Sequence, residues 1–282
     1  LWINSKWDKA VHPLSWLIEK FAPVPDWDAS KGVVYYTDNK LSPPFMRACQ
    51  EQIKRAVNGH RLVSVSLEPL DFGDNIHLPL ERGYSAMFKQ ILAGLEASDA
   101  DVIYFCEHDV LYSPSHFEFM PPEKNRYYYN TNVWRVDAET GRALYTDNCR
   151  QTSGLCAYRE LLIEHYRERV RRTEAKLAEL GDSREFRNWI RRQGFEPGTN
   201  GRAERVDDCK AESWQSAVPN IDIRHGGNLT PSRWRREEFR NQRYTRGWQL
   251  AESVPGWYEP GEFGGLVECS KDFIRDDFAQ GH

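Results

Sequence analysis

The stretch "DADVIYFCEHDVLYSPSHF", residues 99–117, decides how the chain is read. Val102 to Cys106 form an apolar run that meets Glu107, His108 and Asp109 without a break, and the chain then turns apolar again. A short apolar run preceded by a helical pattern reads as a buried strand. If the chain stays extended past Cys106, Glu107 and Asp109 point to one side, about 7 Å apart, and His108 points to the other as a packing residue. Two carboxylates on one side of a sheet edge suit a hard divalent cation, Mg²⁺ or Mn²⁺, whose other positions go to phosphate and water. The competing reading is a strand that simply ends in solvent-facing acids.

The neighbouring segments supply the context. "KGVVYYTDNK" (31–40) is an apolar strand ending in Thr37, Asp38 and Asn39. Pro43 and Pro44 open a helix over "FMRACQEQIKRAV", with Phe45, Cys49, Ile53 and Val57 four apart. "RLVSVSLEPL" (61–70) is the next strand. A polar loop follows, and then "GYSAMFKQILAGLEAS" (83–98) reads as a helix. Strand, helix, strand, helix, strand predicts an α/β domain with a mostly parallel sheet. Ligands of such sheets bind beyond the carboxyl ends of the strands, where Thr37-Asp38-Asn39 and Glu107-His108-Asp109 both lie.

Further along, "NRYYYNTNVWRVD" and "RALYTDN" read as a strand pair. "GLCAYRELLIEHYRERVRRTEAKLAELG" (154–181) reads as one long helix with Leu162, Tyr166, Val170, Leu177 and Leu180 on one face. "GFEPGTNGR" is a loop. "NIDIRHGGNLT" (220–230) is a short strand stopped by Gly226 and Gly227. From Pro231 onward there is little periodicity. At the other end, Trp7, Val11, Leu14, Leu17 and Phe21 recur at helical spacing, as in a docked helix; a membrane-surface helix is disfavoured because its basic residues are few. The expected organisation is an N-terminal helical extension over 1–31, a catalytic domain over 32–235 and an irregular C-terminal extension over 236–282.

Bulk properties exclude several classes. The 282 residues are 40% hydrophobic and 13% aromatic, too apolar for a disordered chain. A formal net charge of −4 gives no global field toward nucleic acid or anionic membrane. No apolar run approaches the roughly 20 residues of a membrane span. The six cysteines form no C-x-x-C pair, which predicts a reducing, cytoplasmic setting and no zinc site. No secretory signal is read, and a first residue of Leu1 fits a trimmed or partial chain.

"YSAMFKQILAGLEASDADVIYFCEHDVLY" resembles the GT-A glycosyltransferases, in the broad sense of the family-2-like enzymes. In those enzymes a helix precedes an apolar strand that ends in Asp-x-Asp. Here the motif is Glu107-His108-Asp109, with Glu in place of the first Asp. The resemblance covers roughly 32–235 and implies a Rossmann-like GT-A fold, with a nucleotide-sugar donor, most often UDP-linked, and Mn²⁺ or Mg²⁺. It implies Asp109 as metal ligand, Glu107 as a helper to the metal or the ribose, and a late histidine, His225, as third ligand. His225 equally suits a phosphate contact or a structural role.

The same resemblance places the nucleotide on Thr37, Asp38 and Asn39, residues that also favour an ordinary turn. It places a basic residue, Arg82 or Lys89, against the phosphates, although each is also an ordinary surface charge. Asp207-Asp208, before an expected short helix, resembles the acidic dipeptide that supplies the base of inverting enzymes. Asp208 is the first choice, with Asp207 and Glu212 as rivals, and a helix N-cap is the plain alternative. "SRWRREEFRNQRYTRGW" has six Arg against two Glu and interleaved aromatics, which suits a phosphate-bearing partner or a tail lying over the domain.

The expected function is metal-dependent sugar transfer from a nucleotide sugar to an acceptor that is a saccharide, a lipid-linked molecule or nucleic acid. The alternatives are a sugar-phosphate nucleotidyltransferase, disfavoured because "YYTDNKLSPPF" is not Gly-rich, and a non-catalytic nucleotide-sugar or glycan-binding module on the same fold.

Overall fold

The computed structural model describes residues 25–147, 149–193, 196–199, 207–226, 228, 232–239 and 241–257. The helix expected over 1–31 falls almost wholly outside them.

The first three units form as the pattern predicts. β1 (Lys31–Thr37) leads through α1 (Pro43–Ala56) to β2 (Arg61–Ser66). Within the expected polar loop, β3 (Asp74–His77) adds a short parallel edge strand. Its sequence, DNIH, lacks the apolar alternation that marks a strand. α2 (Tyr84–Ala97) then feeds β4 (Val102–Glu107). β4 returns to the far side of β1, so β1 lies between β2 and β4 and is parallel to both.

The second half departs more from expectation. "NRYYYNTNVWRVD" splits into β6 (Tyr127–Asn130) and β7 (Val133–Asp137), which lie in different sheets. β5 (Val110–Leu111) precedes them, and β8 (Ala143–Tyr145) pairs antiparallel with β7. The long helix starts later than its pattern suggests. Leu155–Tyr158 is β9, a buried strand between β4 and β6, and α3 runs Arg159–Leu180. A second helix, α4 (Arg184–Gln193), follows. The short helix expected after Asp207-Asp208 is a single turn that opens into β10 (Ala211–Trp214), parallel to β6. β11 is Asn220–Arg224. β12 (Gln249–Ala251) pairs with β8, so the segment after 235 is not wholly irregular.

Two sheets result. The larger, mostly parallel one has the order β10-β6-β9-β4-β1-β2-β3, and the smaller has β12-β8-β7-β11-β5. In the larger sheet, Val34, Tyr36, Ile103 and Phe105 face α2, α3 and α4 through Phe88, Ile91, Leu162, Tyr166 and Ile190. Val33, Tyr35, Val102 and Tyr104 face the other way, onto Ile53 and Val57 at the end of α1. Burial on both faces explains why β1 and β4 read as unbroken apolar runs. α2 lies tight on β1: a Cβ at Gly94 would come within 2.6 Å of Val34 Cγ1. Phe45 and Cys49 of α1 pack with Leu111, Trp134, Ile221 and Ile223, so α1 also covers the smaller sheet.

His116 fastens the two sheets together. Its Nδ1 accepts from the amide nitrogens of Asn130, at the end of β6, and Asn220, at the start of β11, each at 3.1 Å. Those amides are oriented by their own oxygens. Asn130 Oδ1 accepts the Asn132 and Ser216 N–H groups, and Asn220 Oδ1 accepts that of Ser113. Nδ1 is therefore the acceptor, and the neutral ring carries its proton on Nε2. Complete burial pushes the imidazole down to about 3.

Candidate functional site

Strand order reverses between β4 and β1, and an open α/β sheet has its ligand crevice at such a point. A cleft of about 170 Å³ lies there. Tyr36, Thr37 and Asp38 reach it from β1, and Glu107, His108 and Asp109 from β4. Arg82, Gln90, Arg224 and Asn228 complete its polar wall.

The acidic strand end is built by a change of sheet. β4 stops at Glu107, and the chain turns at His108-Asp109. It then enters the smaller sheet as β5, where Val110 pairs opposite Asp222. Asp109 O accepts the Ile223 N–H at 2.9 Å, which locks the crossing. Because the backbone is not extended there, the strict alternation of faces fails. His108 does not face away as packing: it lines the cleft together with Glu107 and Asp109.

The crossing brings Asp109 beside the end of β11. His225 Nε2 lies 3.3 Å from Asp109 Oδ2, and Asn228 Nδ2 donates to the same oxygen at 2.6 Å. Asn228 Oδ1 in turn accepts the His225 N–H at 2.6 Å. Candidate ligand atoms of His108, Asp109 and His225 all lie within 4.8 Å of one another. His108 Nδ1 is buried and has no hydrogen-bond partner among the described residues. Two imidazoles and one carboxylate converging with an unpartnered nitrogen fit a divalent transition metal.

Electrostatics separates the carboxylates. Burial would raise Asp109, but His108, His225 and Arg224 pull it below the usual carboxylate range. Glu107 goes the other way, up to about 8, through burial and then the nearby Asp109 charge. Tyr36 donates its hydroxyl to Glu107 Oε1 at 2.5 Å, and Tyr112 Oη accepts the Glu107 N–H at 3.0 Å. Glu107 is therefore clamped in the cleft and lies outside the cluster of convergent ligand atoms. Asp222, 3% exposed behind the cleft, is raised by burial although Arg224 opposes the shift.

The β1 end divides its roles. Asp38 accepts from Arg82 Nε, and its other oxygen lies 4.0 Å from His108 Nε2. Burial raises Asp38, but the Arg82 bond and the His108 charge bring it below the ordinary value. Asn39 takes a left-handed φ of 57°, and its Oδ1 accepts the N–H groups of Leu67 at 2.9 Å and Glu68 at 3.1 Å. It holds the end of β2 and does not line the cleft. Lys89 also points elsewhere, pairing with Glu174 of α3 at 3.0 Å. Arg82 lies at the cleft mouth.

Asp207 and Asp208 lie at the start of β10, the edge strand of the larger sheet, and neither lines the cleft. Asp208 Oδ1 accepts the Gly198 N–H at 2.7 Å, and Asp207 pairs with Lys210 at 3.0 Å. Glu212 pairs with Arg126 at 2.9 Å.

Arg224, Asn228 and Gln90 were not singled out by pattern. Arg224 ends a strand that is legible, one residue before His225, and that position was the available signal. Gln90 lies inside an apolar helix face, where one buried amide carries no sequence signature.

The fold is α/β with a mostly parallel principal sheet, and its switch-point cleft carries a cluster of side chains that could hold a metal ion. No family model matches the chain, and no curated protein matches it. Among solved structures the chain is similar to a glycosyltransferase involved in the glycosylation of the major capsid of PBCV-1. The two share 10% identity and a TM-score of 0.39, over 71% of this chain and 94% of that one. A likeness of that size leaves the functional reading to the site itself.

Proposed function

We propose that the chain is a metal-dependent glycosyltransferase that takes a sugar from a nucleotide donor, UDP-linked by preference. The observation that carries this is the convergence of His108, Asp109 and His225 at the switch point, beside Thr37, Asp38 and Arg224. The cation set differs from the Asp109, Glu107, His225 expectation. His108 takes the place of Glu107, and two imidazoles favour Mn²⁺ over Mg²⁺, which prefers oxygen ligands. When bound, the ion supplies a Lewis acid for the diphosphate leaving group.

The chain's own residues divide the remaining work. Thr37 and Asp38 offer acceptors to a nucleoside. Arg224, held between Asp222 and the cleft, brings a cation to the diphosphate. Glu107, fixed by Tyr36, lines the cleft and can hydrogen-bond a hydroxyl of the donor.

Incubation with UDP-glucose and UDP-galactose, in Mn²⁺ or in EDTA, tests the reading through UDP release and UDP binding. Mn²⁺-dependent binding is expected, and no metal-dependent binding to any nucleotide sugar overturns it. Asp208→Asn tests the base expected from the sequence. Because Asp208 lies on the edge strand away from the cleft, transfer is expected to be retained; transfer lost with donor binding retained would restore it as the base.

A further inference from the structure

A second, smaller pocket of about 120 Å³ opens on the other side of Arg224 from the cleft. Arg135, Arg224, Arg233, Gln151, Ser232 and Trp234 line it. Three of these are arginines, and Asp222, the carboxylate that contacts two of the lining residues, is already taken. Gln151 Nε2 donates to Asp222 at 2.6 Å, and Arg224 Nη1 lies 3.3 Å from the same oxygen.

Arg135 stands opposite Asp222 in the β7–β11 register but makes no ion pair with it. Its Nη2 donates to Thr146 Oγ1 at 2.7 Å, while its buried Nε has no hydrogen-bond partner among the described residues. Arg233 lies over the Phe239 ring at 5.4 Å. Asp222 acts on Arg135 and Glu238 on Arg233 through space, but neither arginine makes a direct ion pair with a carboxylate among the described residues. Like charges brought together, one with a desolvated and unused donor, are at a cost unless an anion joins them. Guanidinium forks match the oxygens of a phosphate, and neutral donors from Gln151 and Ser232 stand beside them.

We infer that this pocket is an acceptor subsite for a phosphomonoester carried by a saccharide. The inference rests on the glycosyltransferase reading, because Arg224 is shared by the pocket and the cleft. With its phosphate in the pocket, such an acceptor presents a hydroxyl toward the cleft. The hydroxyl oxygen bonds to the anomeric carbon, the bond from that carbon to the nucleotide diphosphate breaks, and the hydroxyl proton leaves to a base or to water. A pocket of about 120 Å³ has room for one phosphate rather than a stretch of polymer backbone.

The test is calorimetric binding of glucose 6-phosphate to the full chain in EDTA, where metal-dependent donor binding is absent. Inorganic phosphate, glucuronate, glucose and a single-stranded oligonucleotide are the other arms. Glucose 6-phosphate and inorganic phosphate are expected to bind and glucose not to bind. Arg233→Glu, an exposed position that leaves the core intact, is expected to weaken binding by about tenfold or more, as does Arg135→Gln. Circular dichroism and Tm establish that each variant is folded. No phosphate binding to the wild type, unchanged affinity in a folded Arg233→Glu, equal affinity for glucuronate, or binding of the oligonucleotide alone overturns the inference. Failure of the function reading is seen separately, as loss of Mn²⁺-dependent UDP binding in the same wild-type preparation.

Discussion

At the scale of single residues, His108 carries the sharpest consequence. It lies between two acids and, in an extended chain, would face away from both. Because the backbone turns there, its nitrogen joins Asp109 and His225. His108→Ala is expected to weaken Mn²⁺ binding by on the order of tenfold or more, and an isotherm unchanged from wild type in an EPR titration removes it from the donor set. Asn39 illustrates the opposite case. Thr-Asp-Asn at a strand end suits a nucleotide contact and a turn equally, and only its left-handed φ and two accepted backbone N–H groups reveal the turn. Asn39→Ala should cost about 1–3 kcal/mol in urea unfolding, through two lost acceptor contacts and an unfavourable φ. Asp109 and His225 could be singled out because each closely follows a strand legible in the pattern. Asn228 was not, because its role depends on a turn that folds it back onto a residue far away in sequence.

At the scale of elements, the first half of the sheet was legible and the second was not. β1, β2 and β4 are apolar runs separated by amphipathic helices, so type and order follow from periodicity. β9 is also apolar, but it runs directly into α3. A buried strand of four residues cannot be told from a helical first turn by pattern alone. β10 was hidden for a different reason. It is a four-residue edge strand in which only Ala211 is buried, and an acidic dipeptide before it reads as a helix cap. The contact of α2 with β1 is tight enough to test. Gly94→Ala places a methyl against Val34 and Val65 and is expected to destabilise by about 1–3 kcal/mol; an unchanged denaturation midpoint would show that α2 can shift without cost. The same helix supports the cleft floor, since Gln90 Nε2 donates to Thr37 O at 2.7 Å and Val65 O at 3.2 Å.

At the scale of the whole molecule, the joint between sheets sets an acid limit. His116 is neutral when folded and has its pKa lowered to about 3, whereas an unfolded histidine titrates near 6.5. Between those values the unfolded chain binds a proton that the folded chain refuses. Stability is therefore present above about pH 6.5 and lost as pH falls, by up to about 1.4 kcal/mol per pH unit from this one group. His116→Gln should be less stable at neutral pH but show a shallower decline from pH 6.5 toward 4, measured by urea unfolding at each pH. An equally steep decline in the variant would assign the acid limb to other groups.

The change of sheet at Glu107–Val110 has a mechanical corollary. His108 and Asp109 hang from the link that leaves the larger sheet, and His225 follows the last residue of β11 in the smaller one. An ion held by all three would be a removable rivet between two plates, added to the joints made by His116 and α1. Its occupancy would add about 2.7 kcal/mol of folding free energy at a hundredfold excess over Kd. Loading with Mn²⁺ should thus raise Tm in the wild type and leave it unmoved in Asp109→Asn. The protein would then be stiffest when it is charged to work.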